Sequence, residues 1–148
     1  MKRCYVDANV LVKAVIERDT SLFERLIGYE LFTSVLTLEE AMYKVIALTV
    51  MEVEGRRLGA FSVKEKYRKK VAKDLIEARI KALNEIVSRI TVLSPTKEDF
   101  EYAKEIASEY KLLPNDALIV AVMRRRGIDE IATFDEDFRR VSGLNVVR

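Results

Sequence analysis

The spacing of apolar residues switches back and forth along this chain, and that alternation limits the folds open to it. Short apolar segments lie at residues 4–6, 31–35, 90–93, 131–134 and 144–147. Between them, apolar side chains recur at helical intervals. Leu11, Val12, Val15 and Ile16 do so within residues 9–17, and Leu38, Ala41, Met42, Val45, Ile46 and Thr49 form a longer stripe. Strands alternating with helices predict an α/β domain with a mostly parallel sheet of five strands.

Local signals place the helix ends. Ser21 with Glu24, and Thr37 with Glu40, have the spacing of capping boxes, and Gly28 is suited to close the first of these helices. A long helix is predicted from Ser62 to about Arg89, with Tyr67, Val71, Leu75, Ala78, Ala82 and Ile86 on one side. Asp116 opens a nearly all-apolar run over residues 117–123, which predicts a helix buried between layers.

The 148 residues suit one domain, 1–148, with a real hydrophobic core. The stretch at about 51–73 is the least core-like and reads as an insertion or lid. Cys4 is the only cysteine, so no intramolecular disulfide can form and an oxidising compartment is not indicated. Met1-Lys2-Arg3 resembles the start of a signal peptide, but Asp7 and Lys13 interrupt the apolar segment behind it. No apolar run reaches the roughly 20 residues of a membrane span. The expectation is a cytoplasmic protein without a membrane partner.

The chain has no histidine, which removes the commonest general base and the commonest zinc ligand. With a lone cysteine, any metal must be held mainly by oxygen, which favours Mg²⁺ or Mn²⁺ over zinc or copper. Carboxylates are therefore the chemistry to look for. Asp7 directly follows the first predicted strand, Glu40 lies in the first turn after the second, Asp116 opens the buried helix, and Asp135 follows the fourth strand. In a parallel sheet these four share the carboxyl end, where α/β sheets bind ligands. Each also has a local explanation: Asp7 and Asp116 as helix caps, Glu40 as the partner of Thr37, Asp135 and Asp137 as turn residues. Clustered carboxylates repel and raise each other's pKa, and a divalent ion turns that arrangement into a favourable one able to hydrolyse a phosphodiester without histidine.

Four segments taken in order resemble the PIN-domain family, which includes the toxin ribonucleases of VapBC toxin–antitoxin modules. They are Tyr5-Val6-Asp7-Ala8-Asn9-Val10-Leu11, Ser34-Val35-Leu36-Thr37-Leu38-Glu39-Glu40, Leu113-Pro114-Asn115-Asp116-Ala117-Leu118-Ile119 and Ala132-Thr133-Phe134-Asp135-Glu136-Asp137-Phe138. The resemblance spans almost the whole chain. It implies a three-layer α/β/α fold, an Mg²⁺- or Mn²⁺-dependent endoribonuclease, a homodimer and, in toxin members, an antitoxin partner. Carried over position by position, it implies Asp7, Glu40, Asp116 and Asp135 as catalytic metal-binding acids, with Asn9 and Thr133 orienting groups or water. Glu39 and Asp137 stand as alternatives to Glu40 and Asp135, and Asp137 as a further metal ligand.

Charge is unevenly spread. Residues 56–73 contain Arg56, Arg57, Lys64, Lys66, Arg68, Lys69, Lys70 and Lys73 against Glu65 alone, a local excess of +7 in a chain of net +2. Such a stretch can draw in RNA by counterion release, with Arg56, Arg57, Lys66, Lys69 and Lys70 as substrate-binding candidates and Phe61 and Tyr67 as stacking surfaces. The alternative is a solvated helix face with Tyr67 packed inward. The second cluster, Arg124-Arg125-Arg126, reads as favourable charge at a helix C-terminus. Against the nuclease stands a non-catalytic PIN-like RNA-binding or assembly module. An aspartyl-phosphate enzyme is disfavoured because Asn9, not a second aspartate, follows Asp7 by two residues.

Overall fold

Tyr5 lies between Cys4 and Val6 on the central strand, and the three side chains divide between the two sides of the sheet. The computed structural model describes residues 1–148. Its strands are β1 (Arg3–Val6), β2 (Glu30–Ser34), β3 (Thr91–Leu93), β4 (Glu130–Ala132) and β5 (Asn145–Val147), in the spatial order β3-β2-β1-β4-β5. All neighbouring pairs are parallel, and Tyr5 is in register with Phe32 on one side and Ile131 on the other. Tyr5, Phe32 and Ile131 enter one apolar layer, whereas Cys4, Val6 and Ala132 enter the other. The sheet is therefore covered on both faces, as parallel sheets require.

The layer facing Cys4 and Val6 is closed by α1 (Ala8–Ile16), α2 (Ser21–Glu24), α3 (Val35–Glu54) and α5 (Lys73–Val87), through residues such as Leu11, Leu22, Val45 and Leu83. The layer facing Tyr5 is closed by α6 (Lys97–Tyr110), α7 (Pro114–Arg125) and a short 3₁₀ helix (Glu136–Arg140). In α7, Ala117, Ile119, Val120, Ala121, Val122 and Met123 are all buried, as the all-apolar run predicts. Full burial of each large aliphatic side chain there contributes roughly 1.5–3 kcal/mol. The result is the predicted three-layer α/β/α sandwich on a five-stranded parallel sheet.

Several predicted boundaries move, each for a local reason. Helix α3 begins at Val35 rather than after Thr37, because Ser34 is the cap: its Oγ accepts from the Thr37 N–H at 3.4 Å. Thr37 is thereby freed from capping, and its Oγ1 lies 2.6 Å from the buried Tyr5 hydroxyl, which also bonds Ser34 Oγ at 2.7 Å. Helix α2 ends at Glu24, short of Gly28. The single helix expected over residues 62–89 is two, α4 (Ala60–Arg68) and α5, separated where Lys70 and Ala72 both adopt left-handed φ angles of 65° and 60°. Residues 51–73 comprise the last turn of α3, a connection that Gly55 opens in a left-handed conformation, α4 and this joint.

The arginines at the end of α7 do more than complement a helix dipole. Asp99, fully buried in α6, accepts from Arg125 at 2.7 Å and from Arg126 at 3.0 Å, and completes a capping box with Thr96. Burial alone would raise its pKa, but the bonds from Arg126, the Thr96 N–H and Arg125 outweigh it and hold the carboxyl well below the usual range. The pair locks α6 to α7 and so fixes the helix that carries Asp116.

The Tyr5 hydroxyl fastens β1 to the start of α3, the helix that carries Glu40. Tyr5→Phe leaves a buried hydroxyl at Thr37 short of a partner, and it should lower unfolding free energy by about 1–3 kcal/mol. Urea denaturation will read this as a lower midpoint with an unchanged m-value. An unshifted midpoint would show that the hydroxyl carries no such constraint.

Candidate metal centre

Parallel strands bring their carboxyl ends to one edge, and in this topology β2 and β4 leave β1 on opposite sides. The crevice beyond β1 and β4 is thus the switch point where α/β sheets hold ligands. Asp7 stands there directly after β1, its backbone N–H donating to the Ala132 carbonyl at 3.0 Å. Its carboxylate is buried and each of its oxygens accepts a hydrogen bond. Oδ1 accepts from the Ala8 N–H at 2.8 Å, as a cap on α1, and Oδ2 accepts from the Thr133 hydroxyl at 2.7 Å.

Thr133 and Asn9 complete the join. Thr133 Oγ1 accepts from the Asp135 N–H at 3.0 Å and from Asn9 Nδ2 at 3.2 Å. Asn9 Oδ1 accepts in turn from the Phe134 N–H at 3.2 Å. The end of β1, the first turn of α1 and the loop after β4 are therefore one hydrogen-bonded unit. Burial raises the Asp7 pKa, the Thr133 and Ala8 bonds oppose that, and the charges of Glu40 and Asp135 add to it.

Asp116, Asp135 and Asp137 each present a carboxylate oxygen, and the three atoms all lie within 4.8 Å of one another. The cap of α7 is Leu113, with Pro114 in its first turn, so Asp116 is not the helix opener that its position suggests. It lies within the first turn with no capping bond to make. Burial pushes its pKa up to about 6, reinforced by the negative charges of Asp135, Asp7, Glu40 and Asp137. Four carboxylates from three other segments thus act on one side chain. Asp135 does cap the 3₁₀ helix, with Oδ1 accepting from the Asp137 N–H at 2.9 Å, while Asp137 is exposed and meets Arg140 at 3.4 Å.

Glu40 projects from α3 toward α7, where Asn115 Nδ2 donates to its Oε2 at 3.4 Å. Lys44, one turn on, lies 3.2 Å from Oε1. Glu39 is exposed and makes no such contact. With Thr37 inside the helix, the capping-box explanation for Glu40 lapses. Asn115 and Lys44 were not singled out from sequence; the i,i+4 Glu–Lys spacing was the available signal for Lys44. Beside Asn9 a concavity of about 310 Å³ opens, lined by Lys13, Lys44, Leu48 and Phe134. A separate, more apolar cavity of about 440 Å³ among Phe23, Leu31, Ile86 and Ile90 contains no cluster of acids.

The predicted substrate cations lie elsewhere, on the α4 arm: Arg56, Arg57, Lys69 and Lys70 are exposed, and Lys66 is engaged by Glu54 at 2.7 Å. Tyr67 is 46% exposed rather than packed inward. No helix is long and apolar enough to cross a membrane.

Comparison with known proteins agrees with the fold. The PIN domain family model matches residues 4–144. Ribonuclease VapC6 of Methanocaldococcus jannaschii is 28% identical over 153 residues, covering 97% of this chain and 95% of that protein. Among solved structures, VapBC2 from Rickettsia felis bound to a promoter DNA fragment superposes with a TM-score of 0.67 at 17% identity, over 97% of this chain and 96% of that one. VapC20 of Mycobacterium tuberculosis, a toxin that cleaves the sarcin–ricin loop, gives 0.62 at 20% identity, over 98% and 99% of the two chains.

An oxygen-only cluster in which neighbouring carboxylates bear on Asp7 and Asp116 fits a hard divalent cation. The elevated Asp116 pKa gives a signed test. Its folded value of about 6 exceeds the unfolded value of 3.8, so the penalty this group places on the fold is full above about pH 6, declines as pH falls from there, and is gone only below about 3.8. A bound cation removes the penalty. Millimolar Mn²⁺ should therefore raise the melting temperature clearly at about pH 7.5 and much less at about pH 5. An equal shift at both pH values, or none, would refute a cation site built on Asp116.

Proposed function

The chain belongs to the PIN-domain family, and from that premise we propose that it is an Mg²⁺- or Mn²⁺-dependent endoribonuclease hydrolysing RNA phosphodiester bonds, the toxin of a VapBC-type module. The observation that carries this reading is the convergence of Asp116, Asp135 and Asp137, whose carboxylate oxygens lie within 4.8 Å of one another, with the charges of Asp7 and Glu40 also bearing on Asp116. Residues 1–148 are read as one domain with the 51–73 stretch as a basic arm. The related ribonuclease and the toxin–antitoxin complexes that share the fold support an RNA substrate and an antitoxin partner. A homodimer is proposed on the family resemblance, and a cytoplasmic setting on the substrate.

In this reading Asp116, Asp135 and Asp137 hold the cation, with Asp7 and Glu40 contributing charge and ligand oxygens. The ion, when bound, lowers the pKa of a coordinated water and stabilises charge on a phosphoryl oxygen. Thr133 and Asn9 are positioning residues: they hold the Asp7 carboxylate so that one orientation is kept against the repulsion of its neighbours. Asn115 and Lys44 do the same for Glu40. Lys44, paired with Glu40, offsets part of the acids' field and helps a polyanionic strand approach.

Asp116→Asn is the clearest test, because Asp116 makes no hydrogen bond that an amide would break. Cleavage of a single-stranded RNA with Mn²⁺ or Mg²⁺ should fall on the order of 100- to 1000-fold, while the metal-free melting temperature stays equal or rises as repulsion is relieved. Asp7→Asn should also abolish cleavage, but at a measurable cost in stability through the lost Thr133 acceptor. Full activity in Asp116→Asn would overturn the assignment. A wild-type protein that binds RNA and cuts none with either metal would leave the non-catalytic PIN-like module as the function.

A further inference from the structure

Outside the acid cluster, the largest concentration of charge lies on the α4 arm. Of the eight cations in residues 56–73, only Lys66 and Lys73 form ion pairs, with Glu54 at 2.7 Å and Glu77 at 4.0 Å. Arg56, Arg57, Lys64, Arg68, Lys69 and Lys70 are exposed and unpaired. Like charges this dense repel within a helix and its flanks. The arm nevertheless holds a defined place, because Val63 is buried and the Lys66–Glu54 pair pins α4 to the end of α3.

The joint between α4 and α5 is the unusual part. Lys70 and Ala72 both take left-handed backbone angles without being glycine, a conformation that only surrounding structure maintains. The joint encloses a concavity of about 300 Å³ lined by Tyr67, Arg68, Lys70 and Lys73, with Val71 and Ile76 as its apolar wall. Glu77, which also lines it, is the acid held by Lys73. Arg68 borders a second concavity with Lys69. An exposed aromatic ring flanked by unpaired cations is what a single-stranded nucleotide requires, a π-face for its base and positive charge for its phosphates. An acidic peptide would use the cations and leave the ring idle; a duplex keeps its bases stacked on each other.

We propose that the α4–α5 joint is a nucleotide subsite, binding a base of single-stranded RNA on Tyr67 and the adjoining phosphates on Arg68, Lys69 and Lys70. It rests on the nuclease reading for its substrate class and adds a second point of attachment. Ala72 and Ile76 pack against Ile46 and Val50. These residues follow Glu40 by one and a half to three turns of α3, about 9–15 Å along its axis at ~1.5 Å per residue. A stacked strand, at about 3.4 Å per nucleotide, needs roughly three to four nucleotides to join the two sites. Substrates longer than about four nucleotides can reach both sites at once.

The test is fluorescence anisotropy with a labelled single-stranded RNA decamer and a trinucleotide, in EDTA so that no strand is cut. Tyr67→Ala should weaken decamer binding about tenfold and Tyr67→Phe should not, as expected for base stacking. The Arg68→Ala/Lys70→Ala double variant should lower the slope of log affinity against log salt by about 1.4, from ~0.7 per phosphate contact. In EDTA a trinucleotide has only the joint to bind, so its weaker binding should fall with Tyr67→Ala and with the double variant and be kept in Tyr67→Phe. Decamer affinity indifferent to Tyr67→Ala, an unchanged slope, or equal binding of a polyglutamate decapeptide or an RNA duplex would overturn the subsite. Cleavage by wild type with decamer binding blind to Tyr67 sinks this inference alone. Tyr67-dependent binding without cleavage on adding Mn²⁺ sinks the nuclease reading and leaves the subsite standing.

Discussion

The hydrogen bonds that Thr133 makes to Asp7, to Asn9 and to the backbone of Asp135 are the constraint on which the acid cluster depends. They tie the end of β1 to the loop after β4 at the point where the sheet's connections diverge. A buried carboxylate is costly unless its oxygens are satisfied, and the Ala8 N–H and the Thr133 hydroxyl satisfy both oxygens of Asp7. Because Thr133 also receives the Asp135 N–H, the same hydroxyl that solvates one acid positions the next. Loosening this join would let the two strand ends drift and the carboxylates separate, which their mutual repulsion favours.

The rest of the fold opposes that repulsion. Two apolar layers clamp the sheet, the Tyr5 hydroxyl binds the start of α3, and the Asp99–Arg125–Arg126 network binds α6 to α7. Glu40 and Asp116 ride on the two helices so fixed. The cost of the arrangement surfaces at Asp116, whose proton is held up to about pH 6. Conformational stability from the core is thus set against electrostatic strain at the site, the usual relation between a scaffold and a functional centre. The basic arm lies on α4, away from this strain, where its charge can act on a polyanion without neutralising the acids.

Much of this was legible in the sequence because parallel-sheet geometry converts chain order into spatial convergence. Asp7 and Asp135 follow strands, so their edge of the sheet follows once the strands are assigned. The local reading of Asp7 as a helix cap also holds, whereas Asp135, read locally as a turn residue, caps the 3₁₀ helix. For Glu40 and Asp116 the local readings fail: Ser34 and Leu113 are the caps, and neither acid has a capping bond to make. Capping boxes are short patterns that occur by chance, and a serine three residues before Thr37 had equal title to the role. The break at Lys70 and Ala72 was hidden for a different reason. Neither residue is glycine or proline, so no local punctuation marks a turn that tertiary packing of Ala72 against α3 imposes. Asn115 was invisible because its partner, Glu40, is 75 residues away.

The central claim is that these acids converge to share a divalent ion. Crystals soaked in Mn²⁺ and measured at a wavelength that reveals the metal's anomalous signal test it directly. A peak is expected about 2.0–2.4 Å from carboxylate oxygens of Asp116 and Asp135, distances usual for oxygen ligands of such cations, with Asp7, Glu40 or Asp137 within reach directly or through water. A map with no peak among these side chains at millimolar Mn²⁺, or with the metal bound only at unrelated surface acids, would contradict it.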